Sequence, residues 1–196
     1  MRLIFATGNK GKMREIREIM EDTGFEILSM KEAGQDPDIV EDGQTFEENA
    51  MIKARAVSKL FPGDYVLADD SGLEIDALGG EPGIYSARYL GEDTSYEIKN
   101  AELIRRMEGV PDEKRTARFV CAIAAVFPDG TEKVVRGVIE GRIAYEPSGE
   151  HGFGYDPIFY VPELGCTTGA IPEIEKNKIS HRGRALELMK KELQSV

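Results

Sequence analysis

Leu3-Ile4-Phe5-Ala6-Thr7-Gly8-Asn9-Lys10-Gly11-Lys12-Met13 sets a continuous apolar run against a loop with two glycines, then the first member of a new apolar series. Four apolar residues in a row fit a buried strand. Past the loop, Met13, Ile16, Ile19 and Met20 recur at helical spacing, and Gly24 marks the helix end. Residues 25–28, Phe-Glu-Ile-Leu, read as a second strand. The chain therefore opens β-α-β, with a crossover helix as its first connection.

Thr45 and Glu48 have capping-box form and start a helix that the pattern carries to about residue 60, where Pro62-Gly63 stops it. Residues 65–68 make an apolar strand that ends in Asp69-Asp70-Ser71-Gly72. Leu73, Ile75 and Ala77 then alternate with polar residues, as in a half-buried strand. Thr94 and Glu97 form a second capping box, for a helix to about residue 107. Residues 115–127 and 131–143 are long strand-like runs joined by Pro128-Asp129-Gly130, a hairpin. A glycine-rich loop over 147–154 precedes one more strand at 158–161. Ser180 caps a last helix with Ala185, Leu186, Met189 and Leu193 on its inner face. Crossover and hairpin strands together predict an α/β fold with a mixed sheet.

The 196 residues suit one domain, with room for two lobes. Hydrophobic residues at 41% support a packed core. A net charge of −11 argues against duplex nucleic acid and anionic membranes, which need a basic surface. A polyphosphate is compatible with it where positive charge is local or a metal bridges the gap. Cys121 and Cys166 lie outside any metal-ligand spacing and read as free thiols of a reducing compartment. Met1-Arg2 runs straight into a short strand, and no apolar run nears the ~20 residues of a membrane span. The expectation is a cytoplasmic protein.

Five segments can carry chemistry. The loop Thr7–Lys12 leads from a strand into a helix, so its backbone N–H groups and the helix dipole suit a phosphate, with Lys10 and Lys12 adding charge. It is not a Walker A loop, and an ordinary βα turn with solvated lysines fits the same residues. Lys53 falls in the middle of a helical stripe of Phe46, Ala50, Val57 and Leu60. It either snorkels to water or aims an ammonium at an anion, and the acidic residues nearby in sequence favour the second. Asp69 and Asp70 end an apolar strand, where open α/β sheets place ligands, and alternation sends one of them into the site. Read alone, Asp69-Asp70-Ser71-Gly72 is a hairpin turn. Glu41 and Asp42 precede the Lys53 helix, and Mg²⁺ takes one or two carboxylates plus substrate phosphates. In Gly152-Phe153-Gly154-Tyr155-Asp156-Pro157 the aromatics can stack on a base or plug a core. Lys176, His181 and Arg182 gather donors that suit a carbonyl-bearing base.

Six stretches in order extend this reading. They are Ala6-Thr7-Gly8-Asn9-Lys10-Gly11-Lys12, Thr45-Phe46-Glu47-Glu48-Asn49-Ala50 through Lys53-Ala54, and Ala68-Asp69-Asp70-Ser71-Gly72-Leu73. The others are Pro82-Gly83-Ile84-Tyr85-Ser86-Ala87-Arg88-Tyr89, Gly152-Phe153-Gly154-Tyr155-Asp156-Pro157-Ile158-Phe159, and Ser180-His181-Arg182-Gly183. Together they resemble the inosine triphosphate pyrophosphatase family over nearly the whole chain. The resemblance implies Mg²⁺-dependent hydrolysis of ITP, XTP and their deoxy forms to the monophosphate and pyrophosphate. It also implies one domain of two lobes, 1–196, around an elongated mixed β-sheet flanked by helices, with the active site in the cleft between the lobes, and a homodimer. Carried over by position, Thr7, Gly8, Asn9, Lys10, Gly11, Lys12 and Lys53 hold the triphosphate, and Ser71 contacts substrate. Asp70 is the catalytic carboxylate and a metal ligand, with Glu41 as the other acidic metal position. Phe153, Gly154, Tyr155, Asp156, Lys176, His181 and Arg182 form the nucleoside pocket. The chain departs from the family pattern at His151, where glycine is common, and mildly at Tyr160.

Overall fold

Strand β1 (Arg2–Phe5) buries Leu3, Ile4 and Phe5 completely and lies between two parallel partners. One is β2 (Glu26–Ser29), reached through helix α1 (Lys10–Ile19), in the register Leu3↔Ile27. The other is β3 (Tyr65–Ile75), reached through α2 (Phe46–Ser58), in the register Ile4↔Val66. After α3 (Tyr96–Arg106) come the long strands β4 (Thr116–Val126) and β5 (Glu132–Ile143). Short strands β6 (Phe159–Val161) and β7 (Cys166–Thr167) follow, then α4 (Glu173–Ile179) and α5 (His181–Gln194). The computed structural model describes residues 1–194. Its seven-stranded sheet runs β2-β1-β3-β4-β5-β6-β7, parallel at the β1 end and antiparallel across β5, β6 and β7. This is the mixed sheet of an α/β fold.

Several local readings change. The Asp69-Asp70-Ser71-Gly72 stretch is no turn: β3 runs through it unbroken. Its turn propensity is a local preference, and burial of both aspartates among cations outweighs it. At α3 the N-cap is Ser95, which accepts from the Ile98 N–H at 3.4 Å, while the Thr94 hydroxyl donates to the Leu90 carbonyl at 2.7 Å. At α2 Thr45 is the N-cap, accepting from the Glu48 N–H at 3.1 Å, and the Glu48 carboxylate reaches the Gln44 N–H. That helix ends at Ser58, so Leu60 lies beyond it and is half exposed. Helix α1 ends at Ile19, and a single 3₁₀ turn leads to Gly24 at φ 72. Strand β7 and helix α4 are too short to show a period in the sequence.

The chain divides into two compact units. The first holds Met1–Asp70, Cys121–Gly137 and, among the described residues, 181–194. Its core joins Phe5 and Leu67 of the sheet to Met13 and Ile16 of α1 and to Leu186 and Met189 of α5. Gly137 on β5 lets α5 approach closely: a Cβ there would meet the His181 carbonyl oxygen at 2.2 Å and the Ala185 nitrogen at 2.5 Å. The second unit holds Ser71–Val120 and Val138–Ser180. Its core gathers Leu73, Leu103, Phe119, Tyr155, Ile158 and Phe159, with the Phe119 and Phe159 rings 4.3 Å apart. Among the described residues no helix is long and apolar enough to cross a membrane.

Candidate active site

The loop after β1 is built by its own side chains. The Thr7 hydroxyl accepts the Asn9 N–H at 3.2 Å, and Asn9, the N-cap of α1, accepts the Lys12 N–H at 3.0 Å. Gly8 and Lys10 are exposed, and Gly11 and Lys12 half-buried. No acidic residue occupies the first turn of α1, so its positive dipole end keeps its charge, and Lys12 increases it. The loop thus has the donors and field for an anion.

Strand β3 ends the first unit with Asp69 and Asp70, both buried. Extended backbone turns consecutive side chains to opposite sides. Asp69 faces the Lys12 ammonium at 3.1 Å and the Arg182 guanidinium at 3.1 Å. Burial alone would raise its carboxyl, but Lys12, Arg182 and Lys53 hold it well below the usual carboxylate range. Asp70 faces Lys53 at 3.9 Å. Burial raises this carboxyl; Lys53 and Lys12 pull it down, Glu41 and Asp69 push it up, and the balance stays above the ordinary value.

Lys53 projects from the α2 face that buries Phe46, Ala50 and Val57. Its side chain is only 12% exposed, with Nζ 3.0 Å from Glu41. A snorkelling lysine would carry its ammonium into water; this one is enclosed by carboxylates. Burial would lower its pKa, but Asp70, Asp69 and Glu41 outweigh that and hold it above the ordinary lysine value. The Glu41 loop is pinned where the Gly43 N–H meets the buried Asn49 side chain at 2.9 Å. Glu41 and Asp70 thus flank one ammonium. Among the described residues no three His, Cys, Asp or Glu side chains form a metal cluster. Mg²⁺ commonly takes one or two carboxylates from a protein and the rest of its ligands from phosphates and water, so Glu41 and Asp70 are a donor set that would fit that ion.

Arg182 opens α5 fully buried. The sequence reading expects it in the nucleoside pocket; the structure ties its guanidinium to Asp69 and to Glu15 of α1, inside the first unit. His181 is buried beside it at the helix start. Glu15 is fully buried and was not singled out in the sequence. Its signal was a carboxylate on the edge of the stripe formed by Ile16 and Ile19.

In the second unit, Gly152 and Gly154 take left-handed φ of 72 and 66 around Phe153. The Asp156 carboxylate turns inward: it accepts the Phe153 N–H at 2.8 Å, the Thr168 hydroxyl at 2.8 Å and the Lys176 ammonium at 2.6 Å. The Lys176 ammonium also lies 5.1 Å from the Phe153 ring centre. Tyr155 is buried, and its hydroxyl donates to the Ser86 carbonyl at 2.6 Å. Of the expected pair, Tyr155 joins the core and Phe153 stays half-buried at the loop. The exposed His151 donates its N–H to the Gly169 carbonyl, and Ser71 is half-buried on β3.

Known proteins share much of this sequence and its fold. The dITP/XTP pyrophosphatase of Geobacter sulfurreducens is 50% identical over 192 residues, 98% of this chain and 96% of that protein. The Staphylococcus aureus Ham1 protein is 42% identical, with a TM-score of 0.88 over 100% of this chain and 99% of that one. A HAM1 protein from Coxiella burnetii is 40% identical, with a TM-score of 0.89 over 100% of both chains. The model of the Ham1 family matches residues 3–192, a span that contains every candidate site residue. With that match and near-complete coverage on the same fold, this chain belongs to the Ham1 family.

Proposed function

We propose that the protein is a Mg²⁺-dependent nucleoside triphosphate pyrophosphatase for non-canonical purine nucleotides. Its substrates are dITP, XTP and ITP, its products the monophosphate and pyrophosphate, and it works as a cytoplasmic homodimer. The observation that carries the reading is Lys53, an ammonium enclosed by Glu41 and Asp70 on an otherwise apolar helix face. The name of the Geobacter sulfurreducens relative supports the substrate class.

Cleavage between the α- and β-phosphates needs neutralising charge, a water in line with the α-phosphorus, and a group to take its proton. The Thr7–Lys12 loop and Lys53 bind the phosphates. Glu41 and Asp70 hold Mg²⁺, which supplies charge neutralisation and Lewis acidity when bound. Asp70 orients the water and accepts its proton as the oxygen joins the α-phosphorus and pyrophosphate leaves with the bridging oxygen. No serine or cysteine nucleophile is required, because phosphoryl transfer rests on positioning and electrostatics.

Base choice falls to Phe153 as stacking platform and to donors around Lys176, His181 and Arg182. A 6-oxo purine accepts hydrogen bonds where adenine's 6-amino group donates. Polar readout of this kind discriminates by about 10⁴-fold. Because the Arg182 guanidinium and the Lys176 ammonium are both tied to carboxylates, their orientation is set before substrate arrives.

The test is a triphosphate panel of dITP, XTP, ITP, ATP, GTP and dTTP with Mg²⁺, with products identified. Pyrophosphate from the 6-oxo non-canonical purines is expected. Release of orthophosphate, preference for dTTP, or no turnover on any member would sink the reading.

A further inference from the structure

Helix α3 has no part in the chemistry described so far, yet one of its faces grips the loop that carries Phe153. Tyr96 and Asn100 stand one turn apart on that face, and Asn100 is buried at 4% exposure. The Asn100 side-chain NH₂ donates to the Gly154 carbonyl at 3.1 Å. Among the described residues its Oδ1 is buried and accepts no hydrogen bond. Burying an amide with an unused acceptor is costly, and an aliphatic side chain would avoid that cost. The bond to Gly154 is what the amide supplies in return. Tyr96 closes the same spot. Its ring lies 3.6 Å from where a Gly154 Cβ would sit and meets the Tyr155 ring edge-on at 5.1 Å.

Phe153 is therefore fixed on both sides along the chain. Its own N–H is held by Asp156, and the carbonyl of the next residue is held by Asn100. Gly154, at φ 66, is a flexible link between the two anchors and does not fix the ring's direction by itself.

We propose that Asn100 is a positioning residue that sets the Phe153 ring for the purine base from behind the loop. This rests on Phe153 being the stacking platform. Loss of the Asn100 bond frees the Gly154 carbonyl and lets the ring turn, so base binding suffers while the phosphate-cleaving groups stay in place.

The test uses full-length protein with N100D, near-isosteric but unable to donate as a carboxylate, and N100L, apolar with the same branched heavy-atom skeleton. N100L keeps the test usable where the buried charge of N100D harms folding. F153A and the two double variants complete the set, and melting temperatures confirm folding. For dITP with Mg²⁺, each Asn100 variant is expected to raise KM about tenfold, the effect of losing one part-buried hydrogen bond, with kcat within about twofold of the parent. On the F153A background the same change is expected to add less than about twofold, because the ring it positions is gone. If F153A raises KM but the Asn100 variants do not, or if the effects multiply in full, Asn100 is not a positioning residue and the platform stands. A fall in kcat and melting temperature with KM unchanged makes Asn100 merely structural. If F153A leaves KM unchanged, the platform reading fails and takes this proposal with it.

Discussion

Lys53 puts a positive charge where Phe46, Ala50 and Val57 pack, and the charge persists because Glu41, Asp70 and Asp69 surround it. Lys53→Met fills the same stripe but leaves those carboxylates facing one another. The expected cost is about 2 kcal/mol of stability, and turnover on dITP is expected to fall by at least about 10²-fold. Melting curves and pyrophosphate release check both; a variant as stable and active as the parent removes Lys53 from the site. The paired aspartates separate in the same way. Asp70 lies beside Lys53 and Glu41, so Asp70→Asn is expected to fold normally, to bind dITP with Mg²⁺ more weakly because a metal ligand is lost, and to lose about 10²- to 10⁴-fold in kcat. Asp69 is fully buried against Lys12 and Arg182, so Asp69→Asn strands two cations and is expected to cost about 3 kcal/mol. If Asp69→Asn proves the stable, inactive variant and Asp70→Asn the unstable one, the two roles are exchanged. Alternation along a strand made this division legible from the sequence, since adjacent residues cannot face one way. It did not reveal which aspartate faced which side, because that depends on where α1, α2 and α5 pack.

At the scale of elements, periodicity made the long pieces legible: β1, α1, α2, β4 and β5 lie within a few residues of where their patterns place them. The misreadings sit where a local signal competed with packing. Asp69-Asp70-Ser71-Gly72 carries turn residues yet lies mid-strand, and Ser95 displaces Thr94 as cap once the Thr94 hydroxyl turns back to Leu90. The approach of α5 to β5 was invisible for another reason: a lone glycine in a strand does not say what comes near it. Gly137→Ala drives a methyl into backbone atoms of His181 and Ala185, which cannot yield one at a time. We expect a loss of about 2–3 kcal/mol. A higher KM for dITP should accompany it, since the displaced turn carries His181 and Arg182. An unchanged melting temperature would contradict the close contact. The turn after β2 offers a pH test. The Arg17 guanidinium, then the Ser29 N–H and hydroxyl, draw the Glu32 carboxyl down to about 2. Its folded pKa lies below the unfolded one, so the contribution is present above about pH 4.3 and drains as pH falls towards 2. The effect is small because Glu32 and Arg17 are both half exposed. Glu32→Gln should therefore melt slightly below the parent at pH 7 and draw level with it only as pH falls through about 2. A gap that persists in acid would assign the effect to shape and not to charge.

For the molecule as a whole, a net charge of −11 opposes the approach of a polyphosphate. Lys12 is already engaged with Asp69 and Lys53 with Glu41. The place of Lys53 was readable, because it broke an apolar stripe on α2 beside acidic residues in the sequence. The Glu15–Arg182 pair was not, since its members lie 167 residues apart and no local pattern links them. The proposed site offers Mg²⁺ two carboxylates, and no cluster of three His, Cys, Asp or Glu occurs among the described residues, so the proposal has substrate phosphates complete the coordination. Metal and nucleotide should therefore bind as a pair. Mg²⁺ alone at millimolar concentration is expected to leave the melting temperature nearly unchanged, and so is a non-hydrolysable dITP analogue in EDTA. Together, at about 100 times the apparent Kd, they should stabilise by about 2.7 kcal/mol. For a chain of this size that corresponds to a rise of about 5–10 °C. EDTA should abolish pyrophosphate release from dITP, and added Mg²⁺ should restore it. A full shift from Mg²⁺ alone would mean the chain holds a complete metal site of its own. A full shift from the analogue in EDTA would mean Lys12 and Lys53 neutralise the triphosphate unaided; either outcome would overturn the shared-metal reading.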